Sequence, residues 1–135
     1  MKVIEIPRTE KIPSITLDDK RKVFEINGKC LPENIRNLNE MVTRKLESYL
    51  NKCLKSEDTV PEEKTLRVNF KLEYFNSAAA KFIADILMLM NDFIEKGCNI
   101  KLYWFYHEGD DDMLEAGEDF AEMIDVPLQF IMVTK

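Results

Sequence analysis

The chain has 135 residues, 45% of them hydrophobic and 33% charged, and a formal net charge of −6. This balance suits a globular chain with a real core rather than a disordered one, so residues 1–135 read as a single domain. The acidic surplus argues against non-specific nucleic-acid binding, which needs a basic surface to displace counterions, and against attraction to anionic lipid.

The opening MKVIEIPRTEKIP contains no apolar run of the signal-peptide kind. Two strands are expected at Ile12–Leu17 and Lys22–Ile26, around the polar Asp18-Asp19-Lys20 turn. Asn27-Gly28 reads as a second turn. Pro32-Glu33-Asn34 then opens a helix, with Pro at its start and Glu in its first turn. Ile35, Leu38, Val42, Leu46, Tyr49, Leu50 and Cys53 recur at helical spacing, so one side of it is buried. The segment 55–64, KSEDTVPEEK, reads as a polar linker.

Thr65–Lys81, TLRVNFKLEYFNSAAAK, is the most informative stretch. Leu66, Val68, Phe70, Leu72 and Tyr74 alternate with Arg67, Asn69, Lys71 and Glu73, the mark of a strand with one buried face. Asn76-Ser77-Ala78 is its junction with the most apolar helix of the chain. That helix carries Phe82, Ile83, Ile86, Met90, Phe93 and Ile94, and stops at Gly97. The purely apolar run Ile86–Met90 is far too short to span a bilayer. Asn99–Tyr106 is the next strand. Gly109 and Asp110–Asp112 start a third helix with Met113, Gly117, Phe120 and Ile124 inward, and Pro127 precedes a last strand, Leu128–Val133.

Strands alternating with helices predict an α/β fold with a mixed, mostly parallel sheet in the order β-β-α-β-α-β-α-β. The polar face of Leu66–Tyr74 excludes a strand sandwiched between two helix layers, so helices should cover mainly one face. Tyr103 and Phe105 fall on the other face. Either another segment covers them or they form a contact surface.

Little in the chain suggests catalysis. Cys30, Cys53 and Cys98 lack CxxC spacing, so they form neither a disulfide framework nor a zinc site and fit a reducing, cytoplasmic compartment. Asp110-Asp111-Asp112 reads as a helix start with carboxylates near the dipole rather than a metal site. His107 has no acid, base or nucleophile at a recognisable spacing. No Walker A or GxGxxG sequence is present. The expectation is therefore no catalytic residue, no metal and no cofactor.

Ser77 sits at or beside the N-cap of its helix. A hydroxyl there is an ordinary cap. It is equally a place for a phosphate, at the positive end of the helix dipole beside unpaired N–H groups.

Three segments in order carry a family resemblance: FEINGKCLPEN at Phe24–Asn34, YFNSAAAK at Tyr74–Lys81, and WFY at Trp104–Tyr106 followed by DDDMLEAGEDF at Asp110–Phe120. Together they resemble the SiaC family of bacterial regulatory phosphoproteins. The resemblance implies a STAS-like fold, similar to anti-sigma-factor antagonists. It also implies a switch, in which a Ser/Thr kinase phosphorylates one hydroxyl at the strand-to-helix junction and a PP2C-type phosphatase removes the phosphate. In the SiaC branch the unphosphorylated form binds and activates a diguanylate cyclase, which makes cyclic di-GMP. Carried onto this chain, the acceptor is Ser77. The family pattern has threonine followed by two more hydroxyl residues, whereas Ala78, Ala79 and Ala80 follow here and leave Ser77 as the one acceptor in the segment.

The resulting expectation is a non-enzymatic regulatory module whose partners are a kinase, a phosphatase and an effector. Its partner surface combines Asn76, Ser77, Ala78 and Lys81 with the neighbouring loop at Pro32, Glu33 and Asn34, because both junctions lie at carboxyl ends of strands. The alternative is a small-molecule-binding STAS-like domain without a phospho-switch, using the same loop face as a pocket.

Overall fold

The computed structural model describes residues 2–55 and 65–134. Their elements run β1 (Lys2–Ile6), β2 (Ser14–Asp18), β3 (Val23–Cys30), α1 (Ile35–Lys55), β4 (Leu66–Phe75), α2 (Ser77–Glu95), β5 (Ile100–His107), α3 (Asp111–Ile124) and β6 (Leu128–Val133). Beyond Lys55, the linker expected at 55–64 lies outside the described residues.

The strands lie across the sheet in the same order as along the chain. β1 to β3 pair antiparallel, and β3 to β6 pair parallel. Each βαβ crossover therefore steps one strand in the same direction. Right-handed crossovers that all step one way place all three helices on one face, and α2 packs between α1 and α3. The one-sided cover expected from β4 is what this topology produces.

The core lies between that face and the helices. Phe24, Ile26, Val68, Phe70, Leu102 and Trp104 are fully or almost fully buried against Val42, Leu46 and Leu50 of α1 and Phe82, Ile83, Ile86 and Met90 of α2. Burial of each such large side chain contributes about 1.5–3 kcal/mol. The helical spacing of α1 and α2 thus reads out correctly.

Three readings need correction. First, the order gains a strand, β1, before the expected pair. Only Ile4 of its five residues is fully buried, so KVIEI has no alternation strong enough to announce it. Second, Asn27-Gly28 is not a turn. It lies inside β3, where Gly28 has φ +130 and the register against β4 shifts. Gly28 pairs with Leu72 but Lys29 pairs with Tyr74, so Glu73 is an extra residue bulged out of β4. A side chain at Gly28 would sit 2.9 Å from Arg8 Nε. Its absence lets the Arg8 guanidinium cross β3 and pair with Glu73. Third, the bulge reverses the end of β4. Tyr74, expected inward, is exposed, and Phe75 turns inward against Trp104 and Phe120.

On the face away from α1, α2 and α3, Glu25, Asn69, Tyr103 and Gln129 form one cross-strand row. Lys71 pairs with Glu25 at 2.9 Å and lies 4.9 Å from the centre of the Phe105 ring. Phe105 is thus half-covered by a side chain of the neighbouring strand.

Candidate functional site

β3 and β4 end together. Cys30 is in register with Phe75, and the Asn76 N–H donates to the Cys30 carbonyl at 3.4 Å. The two strand-to-helix connections, 31–34 and Asn76, therefore leave the sheet side by side at its carboxyl edge.

Asn76 is the N-cap of α2. Its backbone is extended, at φ −93 and ψ 177, and its Oδ1 accepts from the Ala79 N–H at 2.9 Å. Its carbonyl accepts from the Ala80 N–H at 3.0 Å. Ser77 is therefore the first helical residue beside the cap. It is exposed, and its hydroxyl has no hydrogen-bond partner among the described residues. The N–H groups of Ser77 and Ala78 are first-turn donors without intrahelical acceptors, and the first turn carries no acidic side chain.

One turn on, Lys81 Nζ reaches Asp85 Oδ2 at 3.1 Å. The same oxygen accepts from Asn39 Nδ2 of α1 at 2.8 Å. Ser77, Lys81 and Asp85 follow one another at i, i+4 and i+8, so a stripe along α2 runs from the free hydroxyl to a tie onto α1. Ala78 and Lys81 are exposed, while Ala79 is buried.

The neighbouring loop is only partly available. Glu33 and Asn34 are exposed, whereas Pro32 is buried. Pro32 lines a shallow recess of about 610 Å³ together with Ile12 and Leu38. Glu33 pairs with Lys11 at 2.8 Å; that hydrogen bond and charge hold the Glu33 carboxyl below its usual range and raise Lys11. Both side chains are largely exposed, so the pair contributes little to stability.

The carboxylates of the third helix act on the helix itself. Asp110 caps α3, accepting from the Met113 N–H at 3.1 Å, and Asp111 and Asp112 lie exposed in the first turn. No group of three His, Cys, Asp or Glu side chains is placed to hold a metal among the described residues. No helix among the described residues is long and apolar enough to cross a membrane. His107 is exposed at the end of β5. Burial pushes the Cys30 thiol up to about 11, so it is a packing residue rather than a nucleophile.

The sequence reading missed three residues at this edge. Tyr74 stands 56% exposed three positions before Ser77, and the one signal for it was a glycine inside a strand, at Gly28. Asp85 and Asn39 carry no pattern that marks them, since their contact is long-range.

A family described as SiaC family regulatory phosphoprotein matches residues 6–133. An uncharacterized protein of Pseudomonas aeruginosa (strain UCBPP-PA14) is 26% identical over 127 residues, 94% of this chain and 94% of that one. Among solved structures, SiaC of Pseudomonas aeruginosa superposes with a TM-score of 0.76 at 24% identity, over 100% of this chain and 99% of that chain. A chain in the crystal structure of the diguanylate cyclase SiaD in complex with its activator SiaC, also from Pseudomonas aeruginosa, gives a TM-score of 0.76 at 22% identity, covering 96% of this chain and 99% of that chain. At these identities the two structures establish a shared fold.

Proposed function

This chain belongs to the SiaC family of regulatory phosphoproteins, and from that membership we propose that it is a phosphorylation-controlled activator whose effector is a diguanylate cyclase. In this reading a Ser/Thr kinase phosphorylates Ser77, a PP2C-type phosphatase reverses it, and the unphosphorylated form binds the effector at the carboxyl edge. The activator–cyclase complex of the similarly folded SiaC supports the choice of effector.

The observation that carries the proposal is the division of labour at the junction. Asn76 performs the capping, so the exposed Ser77 hydroxyl is free to be modified without loss of the cap. A phosphate would add about −1.5 to −2 charge beside the unpaired first-turn N–H groups. It would also compete with Asp85 for Lys81, loosening the tie between α2 and Asn39 of α1. A differential of about 1–3 kcal/mol between the two forms shifts effector affinity about 5–150-fold. The alternative small-molecule pocket at the same loops offers Glu10, Lys11 and Glu33 as charged groups, of which Lys11 and Glu33 already pair with each other.

The test is phosphopeptide mapping after reaction with the cognate kinase, followed by cyclase assays with both forms. Phosphate on Ser77 and activation by the free form alone are expected. Modification at Ser56, Thr59 or Thr65 with Ser77 untouched would reject the reading.

A further inference from the structure

At the far end of β3 from Ser77 lies a second constellation, which the proposed switch does not use. Val23 opens the strand and Cys30 closes it, so the two ends stand roughly 23 Å apart at a rise of about 3.3 Å per residue. There the turn between β2 and β3 faces the C-terminal half of α1 across a cleft of about 550 Å³. Lys2, Lys22, Lys45 and Lys52 line it, against a single carboxylate, Asp19. Lys2 also pairs with Glu5 at 3.6 Å, so four cations against Asp19 and Glu5 leave a local balance of +2 in a chain whose net charge is −6.

One of these lysines is built into place. Lys22 adopts φ +57, a left-handed conformation uncommon for a residue with a side chain. Its Nζ lies 2.7 Å from Asp19 Oδ1, 3.3 Å from the Tyr49 hydroxyl and 5.6 Å from the centre of the Tyr49 ring. The Tyr49 hydroxyl donates to Asp19 at 2.8 Å, and Tyr49 is only 7% exposed. This closed triangle fixes the ammonium and occupies two of its three donors, leaving one for a ligand. Lys45 and Lys52, two turns apart on α1, have no ion-pair partner among the described residues. A fixed cation flanked by two adjustable ones, beside a buried ring, suits a charged head and an apolar body. Lysine ammonium groups serve phosphate as point charges, and the volume is that of small-molecule sites.

We infer that this cleft binds a small organic phosphate with at least two negative charges, the chemistry of a nucleoside diphosphate. The inference is independent of Ser77 and of the effector.

The test is a ¹H–¹⁵N NMR titration of the unphosphorylated chain with ADP, with adenosine as the uncharged control. Saturable shifts at Lys22, Tyr49 and Lys52 are expected with ADP and not with adenosine. Lys45→Glu with Lys52→Glu should weaken binding by about tenfold or more, as expected for lost charge-assisted contacts. Lys22→Gly should weaken it too, since glycine keeps the left-handed turn while deleting the amine. Thermal melts establish that both variants remain folded. Absence of saturable ADP shifts, shifts confined to other surfaces, equal binding of adenosine, or affinity unchanged in both variants would each overturn the site.

Discussion

The indole of Trp104 occupies the space that a side chain at Gly117 would need. A Cβ there would lie 2.6 Å from the indole Cδ1 and Nε1. The ring is fully buried, and its Nε1 donates to the Met113 carbonyl at 2.9 Å, so it cannot slide aside without abandoning that bond. Gly117→Ala should therefore destabilise the protein by about 1–3 kcal/mol through overpacking, despite the ~1 kcal/mol that alanine gains over glycine inside a helix. Urea unfolding measures it. A variant as stable as the parent would contradict the packing of α3 on β5.

The capping assignment separates two neighbours. Asn76→Ala should cost about 0.5–2 kcal/mol for the lost cap. Ser77→Ala should stay within about 0.5 kcal/mol, as an exposed substitution away from any cap bond. The sequence alone assigned the capping cost to Ser77, and the structure moves it one residue back. Equal losses at both positions would restore the hydroxyl as a cap.

Partner binding should follow the carboxyl edge. Ala78→Arg places a bulky charge on an exposed first-turn position and should abolish effector binding by calorimetry without lowering the melting temperature. Tyr74→Ala should weaken binding through loss of an exposed aromatic anchor. Reversing Asp111 and Asp112 to Lys should leave binding intact and weaken only α3 through its dipole. A complex broken by the aspartate reversal but indifferent to Ala78→Arg would move the interface towards α3.

The bulge offers a two-residue test. Gly28→Ala forces a side chain onto φ +130 and towards Arg8, at a cost of about 1–3 kcal/mol. Arg8→Ala alone should cost no more than about 1 kcal/mol, since its pair with Glu73 is half-exposed. Combining them should not recover the Gly28→Ala loss, because the strain is in the backbone. Recovery in denaturant unfolding would assign the effect to the arginine contact.

Asp19 provides a pH signature. The hydrogen bond from Lys22, then that from Tyr49, holds its carboxyl below the ordinary 3.8. The folded value lies below the unfolded one, so the stabilisation is complete above the ordinary value and is lost as pH falls through the depressed one. Asp19→Asn should be modestly less stable than the parent at pH 7, and the difference should shrink below about pH 4. A difference that grows on acidification would reverse the sign.

What the sequence made legible was periodic. The spacing from Val42 to Leu50 and from Phe82 to Phe93, and the alternation from Leu66 to Leu72, come directly from burial on one face, and the structure follows each. The readings failed where a contact across strands overrides a local rule. Tyr74 is turned outward by a bulge at Glu73, whose carboxylate pairs across β3 with Arg8, sixty-five positions away along the chain. Lys22 reads as the first residue of a strand, whereas it adopts a left-handed conformation just before β3, tied to Asp19 and Tyr49. Pro32 and Glu33 read as the first residue and first turn of a helix, but α1 begins only at Ile35 with no acidic side chain in its first turn, so both lie in the connection before it.

Because each strand pairs only with its predecessor and successor in the chain, the order of synthesis is also an order of assembly. The β1–β3 meander exposes one edge that β4 completes as soon as α1 has folded back, and β5 and β6 extend the ribbon in turn. No strand must later be threaded between two others, but each parallel pairing waits for its crossover helix, as Val23 pairs with Arg67 forty-four positions on, so the β3 edge stands open to other chains until that loop closes.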